Sequence, residues 1–366
     1  MSLHVLKFGG STFPSTHQYR SIARYLRRRM ARGEQLVIVA SGMQGATENL
    51  RSLATSIDPG VGTAALHGVL PLADTTGAGL LRIGLEREGV PATLLHGHRT
   101  GLVTEAVEDR AAPLLRTELG EIEDLLDRGI TPVLPGGQGA DDQHRPTWLG
   151  KNSSDLSAVA LAGALGLPEV EIFSDVEGVY SADPYIIDAA RPMPRIGYEE
   201  MITLAGHGAK VLHPQAVRTA QRHGVRIVCR LNYGDFTSGS VIGDTGGVRA
   251  VVVDLRSVVA SFPDVATADA AYERLLAEGA QAHRPQVPGR HLAAVTGGFF
   301  DVGRALADAG LPVSIGSERL VTAVRDGVAT IHVADDEQAA RRLGAELHDE
   351  LTTARAGRER EALVRA

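Results

Sequence analysis

Across its first two thirds the chain alternates short apolar runs with helix-patterned segments, and this alternation limits the possible folds more than any other feature. Residues 5–8 read as a strand, Ile22, Leu26 and Met30 mark one face of a helix, and 36–40 is the next strand. A helix over 119–126, a strand over 130–134 and an Ala/Leu-rich helix over 156–165 continue the series. A strand over 170–173, a helix over 215–223 and a strand over 227–231 complete it. Strands that alternate with helices predict an α/β fold, a mostly parallel sheet sandwiched by helices. Arg27, Arg28 and Arg29 are expected on the solvated side of the first helix, with a phosphate or partner contact as the alternative.

The stretch 234–247, rich in Gly, Ser, Thr and Asp, breaks this rhythm. Beyond it the units shorten: strands over 248–253, 258–262 and 291–296, and helices over 266–276 and 300–309. A hairpin joins 320–324 to 328–333 across Arg325-Asp326-Gly327, and a helix over 337–351 closes the pattern. The expected division is therefore a domain over 1–242, a smaller α+β domain over 248–351 and a fraying charged tail over 352–366.

With 37 basic and 44 acidic residues the formal charge is −7, which argues against a general nucleic-acid or anionic-membrane role. The single cysteine, Cys229, excludes an internal disulfide and a Cys-rich metal site; within Arg-Ile-Val-Cys-Arg-Leu it is expected to be buried filler. The amino terminus runs into a strand without a signal-like apolar region, and no segment has the apolar length of a membrane span, so a cytoplasmic protein is expected. The histidines are scattered, and no His/Asp/Glu cluster suggests a protein metal cage. His213 is expected to be a structural hydrogen-bonder.

Four segments carry candidate chemistry. In Val5-Leu-Lys-Phe-Gly-Gly-Ser-Thr12 a strand delivers Lys7, and Gly9-Gly10 let backbone amides approach an anion. Residues 147–155 read Thr-Trp-Leu-Gly-Lys-Asn-Ser-Ser-Asp, and Asp155 stands at a helix start, where an aspartate also serves as an ordinary first-turn acid. Residues 174–184 (Ser-Asp-Val-Glu-Gly-Val-Tyr-Ser-Ala-Asp-Pro) follow a strand. Ser174, Asp175, Gly178 and Tyr180 there suit a purine and ribose, or form an ordinary strand-to-loop junction. Within Gly208-Ala-Lys-Val-Leu-His-Pro214, Lys210 offers a point charge to phosphate.

In order and spacing these four motifs resemble the aspartokinase branch of the amino acid kinase family, over roughly residues 3–242. The resemblance implies an amino-acid-kinase-type fold followed by ACT-like regulatory modules. It implies ATP-dependent phosphorylation of the side-chain carboxylate of L-aspartate, with magnesium arriving on ATP, and a homodimer or higher homo-oligomer. Lys7 and Asp155 become the catalytic pair. Gly9, Gly10, Ser11, Ser174, Asp175, Tyr180, Tyr185 and Lys210 fall at nucleotide positions. Val39-Ala-Ser-Gly-Met-Gln-Gly-Ala-Thr47 resembles the family's second-strand loop, which assigns Ser41 and Thr47 to the amino-acid site with Asp74, Lys151 and Ser154.

The chain departs from the family where substrates sit. The family's Gly-Glu-x-x-Ser aligns with Ala73-Asp74-Thr75-Thr76-Gly77, so the acid expected to face the substrate ammonium is one methylene shorter. Leu-Gly-Arg-Gly-Gly-Ser-Asp becomes Leu149-Gly150-Lys151-Asn152-Ser153-Ser154-Asp155, which trades a planar fork for a point charge and two glycines for side chains. The arginine after Asp-Pro is Tyr185. These changes leave open another acceptor, such as an aspartate analogue, and a non-catalytic homologue.

Overall fold

The computed structural model describes residues 2–365 except 108, 109, 245, 246 and 299, with side chains through residue 352. Two compact units divide the chain: residues 1–178 with 215–243, and 179–214 with 244–366.

The first unit begins with β1 (Ser2–Phe8), α1 (Thr16–Met30), β2 (Glu34–Ala40), α2 (Ala46–Ile57), α3 (Thr63–Val69) and α4 (Leu72–Arg87). There follow β3 (Ala92–Leu94), β4 (Leu102–Thr104), β5 (Leu114–Thr117), α5 (Gly120–Asp127), β6 (Thr131–Pro135) and β7 (Gln138–Ala140). Next are β8 (Pro146–Trp148), α6 (Ser154–Ala164) and β9 (Glu169–Ser174). The chain passes through β10 (Arg195–Gly197) and α7 (Tyr198–Gly206) of the second unit. It returns to the first with α8 (Pro214–His223), β11 (Arg226–Leu231) and β12 (Ser238–Gly243).

The main sheet of this unit runs β12-β11-β9-β1-β2-β6-β3, parallel throughout except for the antiparallel β12. Strand alternation sorts its side chains. Leu6, Phe8, Leu36 and Ile38 meet Ile22 and Leu26 of α1 and Leu81 and Leu85 of α4 on one face. Phe8 also stacks on Phe173 across the β1–β9 pair, ring centroids 4.6 Å apart. Against β1, β2 and β9 lies α6, in which every residue from Ser154 to Ala162 is buried. Its alanines and serines explain this, since small side chains let a helix lie close to a sheet.

One expectation for α1 is corrected. Arg27 and Arg28 are exposed, but Arg29 is buried. It lies seven residues from Ile22 and so falls on the apolar stripe of the helix. Its guanidinium pairs with Glu171 at 2.7 Å and Glu34 at 2.5 Å, and Glu171 is also paired with Arg230. A second small sheet, β5-β4-β7-β8, was not foreseen; its strands are too short to show a period in the sequence.

The second unit adds β13 (Arg249–Asp254), β14 (Val258–Phe262), α9 (Val265–Ala277), β15 (Ala282–His283), β16 (His291–Val295) and α10 (Val302–Asp308). It ends with β17 (Ser314–Ile315), β18 (Arg319–Arg325), β19 (Val328–Ala334) and α11 (Glu337–Arg365). These strands form two antiparallel sheets of their own, β13-β18-β19 and β15-β16-β14-β17. The first packs Val251, Val253 and Val321 against Ala340 of α11, and the second packs on α9 and α10 around Leu275 and Leu306. The backbone of α11 stays helical to Arg365, past the end at 351 that the pattern suggested. No helix among the described residues is long and apolar enough to cross a membrane.

Candidate active site

In the main sheet β1 has β2 on one side and β9 on the other, so the strand order changes direction at β1. Open α/β sheets take ligands at the carboxyl ends of strands beside such a point. Lys7 is the penultimate residue of β1. Its Nζ lies 2.7 Å from Oδ1 of Asp155, in the first turn of α6, and both side chains are about nine-tenths enclosed, 11% and 7% exposed. The N-terminal end of a helix favours an anion, which suits Asp155 to this place.

Gly9 makes room for this pair: a Cβ there would stand 3.1 Å from Lys7 Nζ. Its N–H donates to the carbonyl of Phe173 at 3.3 Å. The Gly9 amide is thus engaged at the β1–β9 junction. Gly10 opens a tight turn through Ser11 and Thr12, with Phe13 N–H donating to Gly10 O at 3.0 Å. Cys229 is buried nearby, and burial followed by the charge of Asp155 pushes its thiol up to about 12.

The carboxyl end of β2 forms the next wall. Ser41 Oγ donates to Ser154 Oγ at 3.0 Å, and Gly42 N–H donates to Asp74 Oδ1 at 2.6 Å. Two glycines permit this approach: a Cβ on Gly77 would lie 2.2 Å from the Ser41 carbonyl oxygen, and one on Gly42 would lie 2.8 Å from that of Ala73. Desolvation pushes the Asp74 carboxyl up to about 7, against the opposing pull of the Gly42 N–H and the Lys7 charge. Asp74 therefore takes up a proton more readily than an ordinary carboxyl.

The loop after β6 is fastened to α6, where Gly137 N–H donates to Ser157 Oγ at 2.9 Å. Lys151 precedes α6 and pairs with Glu48 of α2, and Thr47 stands beside Glu48 in the first turn of that helix. Asn152 takes a left-handed conformation with φ 63, and Ser153 is buried with its hydroxyl donating to Gly150 O at 2.5 Å. Lys7, Ser41, Asp74, Ser154 and Asp155 are thus drawn together. Glu48 was missed by sequence reasoning; an acid in the first turn of a helix reads as an ordinary favourable placement.

Of the residues assigned to nucleotide, Ser174 and Asp175 lie in the first unit, and Tyr180, Tyr185 and Lys210 in the second. Ser174 Oγ donates to Val176 O at 2.7 Å, and Asp175 is exposed. Tyr180 forms an isolated bridge with Pro192, Tyr185 is 79% exposed, and Lys210 is exposed.

Residues 2–230 match the sequence model of the amino acid kinase family. The chain is 32% identical to an aspartokinase of Thermus thermophilus over 260 residues, 70% of this chain and 64% of that protein. It is 34% identical to one of Helicobacter pylori over 240 residues, 66% of this chain and 59% of that protein. The chain therefore spans less than two thirds of the length of the curated relatives it matches. Among solved structures, E. coli aspartokinase III in complex with aspartate and ADP superposes with a TM-score of 0.72 at 16% identity, over 96% of this chain and 100% of that one. Aspartate kinase from Synechocystis gives 0.59 at 24% identity, over 89% and 60%. A parallel sheet with its charged pair at the strand-order reversal, and a family match over most of that sheet, lead to one conclusion: the chain belongs to the amino acid kinase family.

Proposed function

We propose that the chain is an ATP-dependent kinase that converts L-aspartate to 4-phospho-L-aspartate. The observation that carries this reading is the enclosed Lys7–Asp155 pair, 2.7 Å apart at the carboxyl end of β1, in a chain whose relatives include aspartokinases. A side-chain carboxylate oxygen of the acceptor attacks the terminal phosphorus of ATP; the bond to the bridging oxygen breaks, and ADP leaves with the electron pair. Two anions meet in this step, so catalysis is chiefly charge neutralisation and alignment. Lys7 supplies the cation and Asp155 holds its ammonium in place.

Ser41, Thr47, Asp74, Lys151 and Ser154 are the proposed acceptor residues, and Gly9, Gly10, Ser11, Ser174 and Asp175 are proposed for nucleotide. Tyr180, Tyr185 and Lys210 are proposed for nucleotide on their motifs. Magnesium is proposed to come with the phosphates of ATP. For the second unit, with its two antiparallel sheets, an ACT-like regulatory or dimerisation role is proposed; a cytoplasmic homodimer is proposed on the family resemblance alone.

Asp74 favours a second reading. Shorter than glutamate and more readily protonated than an ordinary carboxyl, it holds an ammonium less firmly, which suits an aspartate analogue or another amino acid as acceptor. One experiment separates these readings: a panel of amino acids with ATP, magnesium and hydroxylamine, which traps acyl phosphates as hydroxamates. Hydroxamate from aspartate supports the first reading, and hydroxamate from another acid alone supports the second. None from any acid favours a non-catalytic homologue.

A further inference from the structure

Resting on the reading that Lys151 receives the acceptor's carboxylate, we propose that Glu48 is an internal competitor for that position, which the acceptor must displace in order to bind.

Three observations carry this. The first is the ion pair itself, between the carboxylate of Glu48 and the ammonium of Lys151. The Lys151 side chain is only 24% exposed while that of Glu48 is 54% exposed, so the cation sits inward and its partner reaches it from the solvent side. The hydrogen bond from Lys151 holds the Glu48 carboxyl below the usual range, so it is ionised at neutral pH. An acceptor carboxylate and Glu48 present the same group to the same ammonium.

The second observation is a fallback partner. Arg51, one turn further along α2, has its Nε 3.9 Å from Glu48 Oε2. A released Glu48 keeps a cation within reach, so its displacement does not strand a charge.

The third observation is the helix that carries Glu48. No residue of α2 is buried, and Leu53 and Ile57 are 62% and 86% exposed. A groove of about 210 Å³ lined by Met43, Ala46, Asn49, Leu50, Ala73 and Thr76 lies between α2 and α4. Segments with so few buried apolar contacts move at low cost.

The test uses the full chain and L-aspartate, with KM and kcat at saturating ATP and the dissociation constant by calorimetry. Glu48→Gln is expected to lower both KM and the dissociation constant about three- to fivefold with kcat unchanged, the worth of one partly exposed ion pair. Lys151→Met is expected to raise both, and adding Glu48→Gln in that background is expected to change neither. An unchanged or raised KM and dissociation constant for Glu48→Gln, while Lys151→Met still weakens aspartate, overturns the competitor. If Lys151→Met leaves aspartate affinity unaltered, the assignment of Lys151 to the acceptor fails instead.

Discussion

The backbone N–H of Gly42 donates to Asp74 Oδ1 at 2.6 Å, which ties the loop after β2 to the first turn of α4 through a carboxyl pushed up to about 7. Lys7 on β1 and Tyr19 on α1 are the charged and titratable groups that sense this carboxyl. An acceptor ammonium, as proposed for this site, needs the ionised form. Acceptor kcat/KM is therefore expected to fall about tenfold per pH unit as pH drops below about 7. A profile flat from pH 8 to about 5.5 removes Asp74 from ammonium recognition.

The same shift has a stability consequence of definite sign. The folded value, about 7, lies above the ordinary value of 3.8, so the folded state binds this proton more tightly than the unfolded state. Stability from this group is fully present below pH 3.8, is lost as pH rises to about 7, and stays lost above it. Asp74→Asn keeps the acceptor oxygen for Gly42 N–H and removes the charge. It is expected to raise the melting temperature at pH 8 and to change it little at pH 4, as thermal denaturation at the two pH values would reveal.

Lys7→Ala and Asp155→Asn are each expected to lower turnover about a hundredfold or more, because in the proposed reaction each disrupts a preorganised charge at the transferred group. Lys7→Ala also removes the cation paired with the enclosed Asp155 and is expected to lose stability, about 3–5 kcal/mol. Turnover by hydroxamate trapping and unfolding in urea separate the two effects. Wild-type turnover in either variant removes that residue from the catalytic pair.

Gly77→Ala tests how the wall proposed for the acceptor is built. The added methyl would lie 2.2 Å from the carbonyl oxygen of Ser41, a backbone atom that cannot rotate away. A cost of about 1–3 kcal/mol or more is expected from overpacking, with acceptor KM raised because Ser41 and Gly42 must shift. Gly89→Ala serves as a contrast: nothing lies within 4 Å of its Cβ position, although its φ of 78 adds strain. Loss of stability in both with a KM change only in Gly77→Ala is the expected result.

Cys229 is expected to resist alkylation in the native protein at pH 8, since it is 2% exposed and its thiol is pushed up to about 12. Mass spectrometry after iodoacetamide, with and without denaturant, measures this. Rapid native labelling would show that the strand around it opens.

Much of this arrangement was legible in the sequence because it is local. The run 5–8 gave β1, the two glycines gave the turn, and Asp155 stood at a helix start. Arg29 could have been placed by period alone, since it shares a stripe with Ile22 and Leu26. Glu48 could not, because its partner lies 103 residues away and nothing around it departs from an ordinary helix start. The titration of Asp74 was equally hidden: its environment comes from β1, α1 and the loop after β2, and desolvation has no sequence period.

Gly42 and Gly77 set main chain directly against main chain, so the framework between β2 and α4 does not depend on side-chain rotamers. Side chains that stand on this framework, Ser41 among them, can be exchanged while the main-chain contact beneath stays fixed. A new acceptor preference could then arise by few substitutions, each altering the lining without rebuilding the support.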